Sequence, residues 1–326
     1  MRLTIMPAPV LAPPVLAVLV LAALVAASLA IGAADLFGGD VGTGLLLAES
    51  RLPRTLATLL AGAGLALAGV VVQHSVQNRL VEPGLVGTPE AAMGGLLAIT
   101  LLAPGAALIV KMAVAAAAAL AGTLGFLALA TRIPRRDPVL LPLVGLIYGG
   151  ILGAAVTFAA WTTDLMQYLG TWASGSFAGV LAGRYELLWF VAPVALLLYL
   201  AADRITLLGL GEDAARSLGL NFRQTLLAGL ILVSVITAVI VVTTGAIPFV
   251  GLVVPNIVSR WRGDNLRRNL PLVAWAGAVA VLASDLTGRL VRWPYEIPAG
   301  TIFAVAGAGL FLWLLHAAPA RRHNHG

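Results

Sequence analysis

Ten long apolar stretches, separated by short arginine-bearing loops, run through almost the whole of this 326-residue chain. Most are roughly 18–25 residues long, the length a helix needs to cross about 30 Å of hydrocarbon. Inside a bilayer every backbone polar group must be satisfied within the protein, so spans of this kind are helical. A β-barrel would alternate apolar and polar residues instead, and neither 11–31 nor 112–129 alternates. With 60% hydrophobic and 10% charged residues, the chain has too few charges to clothe a water-facing surface. The fold class is therefore all-α: a polytopic membrane protein read as one transmembrane domain over 1–326.

Several function classes fall away on composition. Little chain lies outside the apolar stretches, so there is no room for a separate soluble catalytic domain. No phosphate-binding loop of the G-x-x-x-x-G-K-[ST] type occurs, so any nucleotide hydrolysis would sit on another chain. There is no cysteine, which excludes disulfides and thiolate metal sites. The formal net charge of +6 does not indicate nucleic acid, because the arginines are dispersed in loops between spans, where they set topology. The N-terminal apolar run exceeds 20 residues, too long for a signal-peptide core, and is read as an uncleaved first span.

The spans are expected near 10–34, 53–77, 85–103, 108–130, 139–161, 187–203, 224–245, 247–260, 270–291 and 298–317. The eighth is short and interrupted by Pro248, Gly251 and Pro255. Charge decides that it crosses, because the loops before span seven and after span eight are both arginine-rich. With both termini cytoplasmic, fourteen basic residues face inward and six outward. The outward set is Arg51, Arg54, Lys111, Arg184, Arg289 and Arg292. The segment 162–186 reads as an external interfacial piece with an aromatic belt. The segment 204–222 is the longest inner loop between spans. Glu82-Pro-Gly-Leu-Val-Gly-Thr-Pro89 and Pro248-Phe-Val-Gly-Leu-Val-Val-Pro255 each open a short span from opposite sides, as an inverted repeat would.

Five groups of residues are candidates for chemistry. Arg51 and Arg54, at i and i+3 beside Pro53, form a cationic edge. Arg289 and Arg292 repeat that spacing at the outer end of span nine. Both pairs suit lipid-headgroup anchoring or docking of an acidic external partner. Within 211–219, Gly211, Glu212, Asp213, Ala214, Ala215, Arg216, Ser217, Leu218 and Gly219 read as a short helix. Its acidic residues suit the N-terminal dipole, and Gly219 suits a left-handed C-cap with Leu220 folding back. Such a helix is either a solvated connector or a plug for a partner's groove. Asp285 and Glu90 are intramembrane carboxylates, either helix-packing contacts or functional groups. Gln73, His74, Gln77 and Asn78 make the inner end of span two polar, as a pathway wall or as an ordinary helix end. Asn256, beside Pro255, is placed to bond carbonyls freed by a broken helix. The histidine-bearing tail lacks zinc-ligand spacing.

Six motifs occur in order: Arg51-Leu-Pro-Arg-Thr-Leu56, Asn78-Arg-Leu-Val-Glu-Pro-Gly-Leu-Val-Gly87, Trp172-Ala-Ser-Gly-Ser176, Gly211-Glu-Asp-Ala-Ala-Arg-Ser-Leu-Gly-Leu-Asn221, Phe249-Val-Gly-Leu-Val-Val-Pro255 and Glu296-Ile-Pro-Ala-Gly300. Together they resemble the FecCD family of bacterial ATP-binding-cassette importer permeases over 45–316. Members carry iron-siderophores, haem or vitamin B12. The resemblance implies a ten-helix subunit like the vitamin B12 importer permease, paired with a second permease subunit in a homo- or heterodimer. It implies two cytoplasmic ATP-binding subunits, which hold the ATP, and an extracytoplasmic substrate-binding protein. This chain would bind no cofactor or metal and make no covalent bond. The resemblance makes Arg51, Arg54 and Arg289 contacts for the binding protein, and the 211–219 helix the coupling element for the ATPase. Many members have His where this chain has Asn256. With Gly263-Asp-Asn-Leu-Arg-Arg268, that departure looks closer to the catecholate-siderophore branch. The rival reading is an ion-coupled secondary transporter using Asp285 or Glu90.

Overall fold

The computed structural model describes residues 14–32, 43–132 and 140–316. Arg2, Arg135, Arg136, Arg321, Arg322 and the histidines of the tail lie outside them, so their share of the charge asymmetry has no structural counterpart here.

The described chain is built on helices α1 (Pro14–Ala30), α2 (Thr43–Leu46), α3 (Leu52–Ser75), α4 (Thr88–Leu102), α5 (Leu108–Ala130), α6 (Leu140–Thr162) and α7 (Met166–Ala173). It continues through α8 (Val191–Leu200), α9 (Ala202–Leu208), α10 (Glu212–Ser217), α11 (Phe222–Thr243), α12 (Val250–Arg262), α13 (Leu266–Val291) and α14 (Ala299–His316). Among the described residues five stretches are long and apolar enough to cross a membrane: Gly44–Ser75, α5, α6, α11 and α13. A sixth is the pair Tyr185–Leu200 and Ala202–Leu208, bent by 69°. The shorter α1, α4 and α14, together with the amphipathic α12, occupy the remaining four of the ten expected positions.

Three boundaries differ from the sequence reading. The second span starts earlier, because a π turn at Leu47–Arg51 joins α2 to α3 in one 32-residue helical stretch. The sixth span breaks at Ala201, and α9 leaves at the 69° bend instead of continuing the crossing. α13 begins at Leu266 and not at 270, because the Asn265 side chain caps it, accepting from the Arg268 N–H at 3.1 Å. Hydropathy alone misses that polar first turn.

α3 is the axle of the bundle. Its apolar window is 78% buried, against 17% for α6, so α3 packs on protein all round while α6 presents most of its surface outward. Glycines permit the closest crossings. A Cβ on Gly62 would stand 2.2 Å from the Gly277 carbonyl oxygen of α13, and one on Gly69 1.9 Å from the Gly251 oxygen of α12.

The two interrupted segments meet. The 3₁₀ turn Pro83–Val86 leads through Gly87 (φ 75°) into α4, and Phe249 (φ 66°) leads into α12. Both short helices thus start from a left-handed residue. Glu82, 4% exposed, accepts the Phe249 N–H at 2.8 Å, so one half-span's lead-in caps the other half-span's N-terminus. Pro255 inside α12 has no N–H to give the Gly251 carbonyl four residues back. The Gln73 amide of α3 donates to that carbonyl instead, at 3.1 Å. Asn256 donates to the Leu252 carbonyl at 2.7 Å and to the Arg79 carbonyl at 2.8 Å. The carbonyl that Pro255 frees is thus taken by Gln73 and not, as expected from the sequence, by Asn256, which adds a second donor to Leu252 and ties α12 to the Arg79 carbonyl.

Candidate functional site

The arginine face is the first candidate. The sequence reading has Arg51 and Arg54 forming an exposed cationic edge; the structure corrects this. Arg51 is 5% exposed and Arg289 3%, and the Arg54 side chain is 13% exposed. Only Arg292 of the four is open to solvent, 5.8 Å over the Tyr295 ring. The cause is the C-terminus of α1. Its last carbonyls have no helical partners, and two guanidiniums supply them. Arg51 donates to the carbonyls of Leu29 and Ala30, each at 2.7 Å. Arg289 donates to those of Ser28 and Ile31, each at 3.0 Å. Cations at a helix C-terminus also suit its dipole.

Asp285 sits between the remaining donors. It accepts from Arg54 at 2.8 and 3.2 Å and from Arg289 one turn further along α13. Arg54 also reaches the Glu296 carboxylate at 2.8 Å. Arg54 and Arg289 therefore share Asp285, Arg54 alone also reaches Glu296, and Arg51 is committed to the α1 carbonyls. Asp285 is a counter-ion in a closed network, not a lone titratable group lining a path. Sequence reasoning singled out Asp285 but gave it no partner: Arg54 lies 231 residues away in the chain, while Arg289, one turn along the same helix, was a local partner it missed.

The second candidate is α10 and its flanks. Gly211 (φ 96°) opens the turn and Gly219 (φ 82°) closes it, with the Leu220 N–H bonded to the Ala215 carbonyl at 3.0 Å. That is the glycine C-cap expected from the sequence. Glu212 and Arg216 pair at 2.5 Å along the exposed side. Ala215 is fully buried against its own chain. The exposed residues are Glu212, Asp213, Ala214, Arg216, Ser217 and Leu218, with Leu218 at 61% and Leu210 at 57%.

At the same end of the bundle, Gln73, His74, Gln77, Asn78 and Asn256 line a cavity of about 310 Å³. The inner end of α3 is thus a cavity wall and not merely a polar helix terminus. Asp264 closes it: Arg79 pairs with it at 2.6 Å and the Ser259 hydroxyl donates to it. The Ser259 hydroxyl and the Arg79 charge hold the Asp264 carboxyl below the usual carboxylate range. A depressed carboxyl pKa means that this tie is intact above the ordinary value near 4 and lost only as pH falls below it.

Where the two interrupted segments meet, Glu82, Glu90 and Thr237 line a smaller cavity of about 240 Å³. Glu90 Oε2 and Thr237 Oγ1 are buried there without hydrogen-bond partners. Among the described residues no group of three His, Cys, Asp or Glu is placed to hold a metal ion.

Apolar segments at all ten expected positions, with two interrupted half-spans meeting in the interior, make a polytopic membrane bundle. The chain belongs to the FecCD transport family, whose model matches residues 15–317. It is 41% identical to the petrobactin import system permease protein of Bacillus subtilis, over 82% of this chain and 85% of the relative. It is 40% identical to the ferric-anguibactin transport system permease protein of Vibrio anguillarum, over 85% of this chain and 88% of the relative. In three dimensions it matches a metal-chelate type ABC transporter in an inward-facing conformation, with TM-score 0.78 and 26% identity over 93% of this chain and 99% of that one. The family and the paired state of Asp285 together disfavour the ion-coupled carrier.

Proposed function

We propose that this chain is the membrane-spanning permease subunit of an ATP-binding-cassette importer for iron-siderophore complexes, of the catecholate branch. The observation that carries the reading is the likeness to siderophore-system permeases along more than four fifths of the chain. The chain works as one transmembrane unit in the bacterial cytoplasmic membrane. Both termini are cytoplasmic, with 204–222 inside and 162–186 outside, as the arginine asymmetry supports. A second permease subunit, two ATP-binding subunits and an extracytoplasmic binding protein complete the importer. ATP binds on the partner subunits, and this chain carries no cofactor and no catalytic residue.

Transport proceeds by alternating access. ATP-driven closure of the partners moves α10, and the motion passes through α9 and α11 to the pathway. The face that engages an ATPase groove is the exposed Ala214–Leu218 ridge. Ala214→Arg and Leu218→Glu, which place charge on that ridge, are expected to abolish chelate-stimulated ATP hydrolysis and uptake while membrane levels stay normal. ATPase assembly and uptake at wild-type rates in both variants would remove the coupling role from α10.

On the other face the binding protein's acids meet the arginine cluster. Arg292 makes first contact, and Arg51, Arg54 and Arg289 supply the field behind it. Arg292→Glu is expected to weaken binding-protein affinity roughly fivefold at low salt, about 1 kcal/mol, and less at high salt. Affinity unchanged at both salt levels would return Arg292 to a lipid-anchoring role.

A further inference from the structure

A cavity larger than the two described above lies at the end of the bundle opposite α10, roughly 33 Å away along the length of α11. It measures about 660 Å³, within the range of small-molecule sites, and is walled by the ends of α4 and α11, the start of α5, and α7. Two cations, Lys111 and Arg184, face it, and no carboxylate lines it. Lys111 gives one N–H to the Pro104 carbonyl at 3.0 Å and keeps two. Tyr168 and Trp172, one turn apart on α7 with ring centroids 6.2 Å apart, supply two aromatic faces plus a phenol and an indole donor. The threonine hydroxyls of the wall are turned to carbonyls of their own helices. The donors left for a ligand thus come from the two cations, the two rings and Ser176. Glu186, the nearest acid in sequence, is turned to the Gly183 N–H at 2.8 Å.

From this geometry we infer that the cavity is a holding site for an anionic chelate bearing aromatic rings, occupied after the binding protein releases it. Delocalised negative charge meets Lys111 and Arg184, and flat catecholate-type rings lie on Tyr168 and Trp172. A phospholipid headgroup shares the anionic chemistry but has no ring to stack, so the aromatic pair favours the chelate. The site rests on the importer reading and deepens it by assigning a cargo class to particular residues.

The test uses the assembled permease–ATPase complex in phosphatidylcholine nanodiscs, with radioiron-labelled ferric tris-catecholate as the probe. A neutral ferric trihydroxamate serves as control. The tris-catecholate is expected to bind, and the control to bind at least tenfold more weakly. The double variant Lys111→Gln/Arg184→Gln should lose about tenfold in tris-catecholate affinity and leave the control unchanged. Trp172→Ala should weaken the same ligand with both cations intact. Equal tris-catecholate binding by wild type and double variant, or no binding by wild type, overturns the site. Displacement of the tris-catecholate by added phosphatidylglycerol, with the control bound as well as the charged complex, marks a headgroup site and also overturns it. Uptake in cells separates the two readings. If cells import ferric catecholate at the same rate with the double variant, the cavity fails and the importer stands. If the wild-type complex imports no ferric chelate, the importer reading itself fails.

Discussion

Asp285→Ala is expected to destabilise the bundle by about 3–5 kcal/mol, the cost of removing one partner from a buried ion pair. The carboxylate is 2% exposed and accepts from both Arg54 and Arg289. Without it, two guanidiniums face each other at the outer ends of α3 and α13, with Glu296 the only acid left to them. Asp285→Asn should fare little better, since an amide keeps the shape but turns two N–H donors toward arginine donors. The decisive comparison is a double-mutant cycle. Asp285→Asn combined with Arg289→Gln should lose clearly less than the two single losses summed, because the second change removes a charge the first left unpaired. Thermal unfolding in detergent, followed by tryptophan fluorescence, reads this directly. Additive losses would mean that the two side chains do not act as a pair. Loss of uptake with unchanged unfolding in Asp285→Asn would reopen the ion-coupled reading.

Gly69→Ala is the second large effect expected. A single methyl there would lie 1.9 Å from the Gly251 oxygen, which is backbone and cannot swing aside. α3 and α12 would have to part where the Gln73 amide bonds that same carbonyl, so one substitution costs both a packing surface and a hydrogen bond. Overpacking alone costs about 1–3 kcal/mol, and the lost bond to an otherwise orphaned carbonyl adds about 1–3 kcal/mol. Gly150→Ala on α6 is the control, because nothing lies within 4 Å of its added methyl. That change should be neutral, or favourable by about 0.5–1 kcal/mol through helix propensity. The measurement is folded yield and midpoint for both variants side by side. Equal behaviour of the two would deny the close crossing.

The ten segments were legible because hydropathy and arginine placement act locally. Each span's length is set by the bilayer, and each loop's charge by the side it faces. The Gly219 cap likewise needs only the residues beside it. What stayed hidden was non-local. Nothing near Glu82 in the chain announces that it caps Phe249, 167 residues on. Arg51 and Arg54 read as exposed because the α1 carbonyls and Asp285 that draw them inward cannot be placed from sequence. Which side of α10 its own chain covers was hidden too, because a six-residue helix has too few turns to show that Ala215 faces inward. The cavity residues Lys111 and Arg184 were visible only as outer charges, since the wall they share comes from separate helices.

The Arg289 cap on α1 has a consequence for biosynthesis. Its acceptor, the Ser28 carbonyl, is made 261 residues before the arginine that satisfies it. At about 5–20 residues per second, the end of the first helix waits roughly 13–52 s for that donor. Until α13 emerges from the ribosome, lipid headgroups, water or the insertion machinery must stand in. Arg51 reaches the Leu29 and Ala30 carbonyls as soon as the second span is made, whereas the Ser28 and Ile31 carbonyls wait for α13, so a nascent chain stalled before residue 289 would hold the end of α1 by only half its clasp.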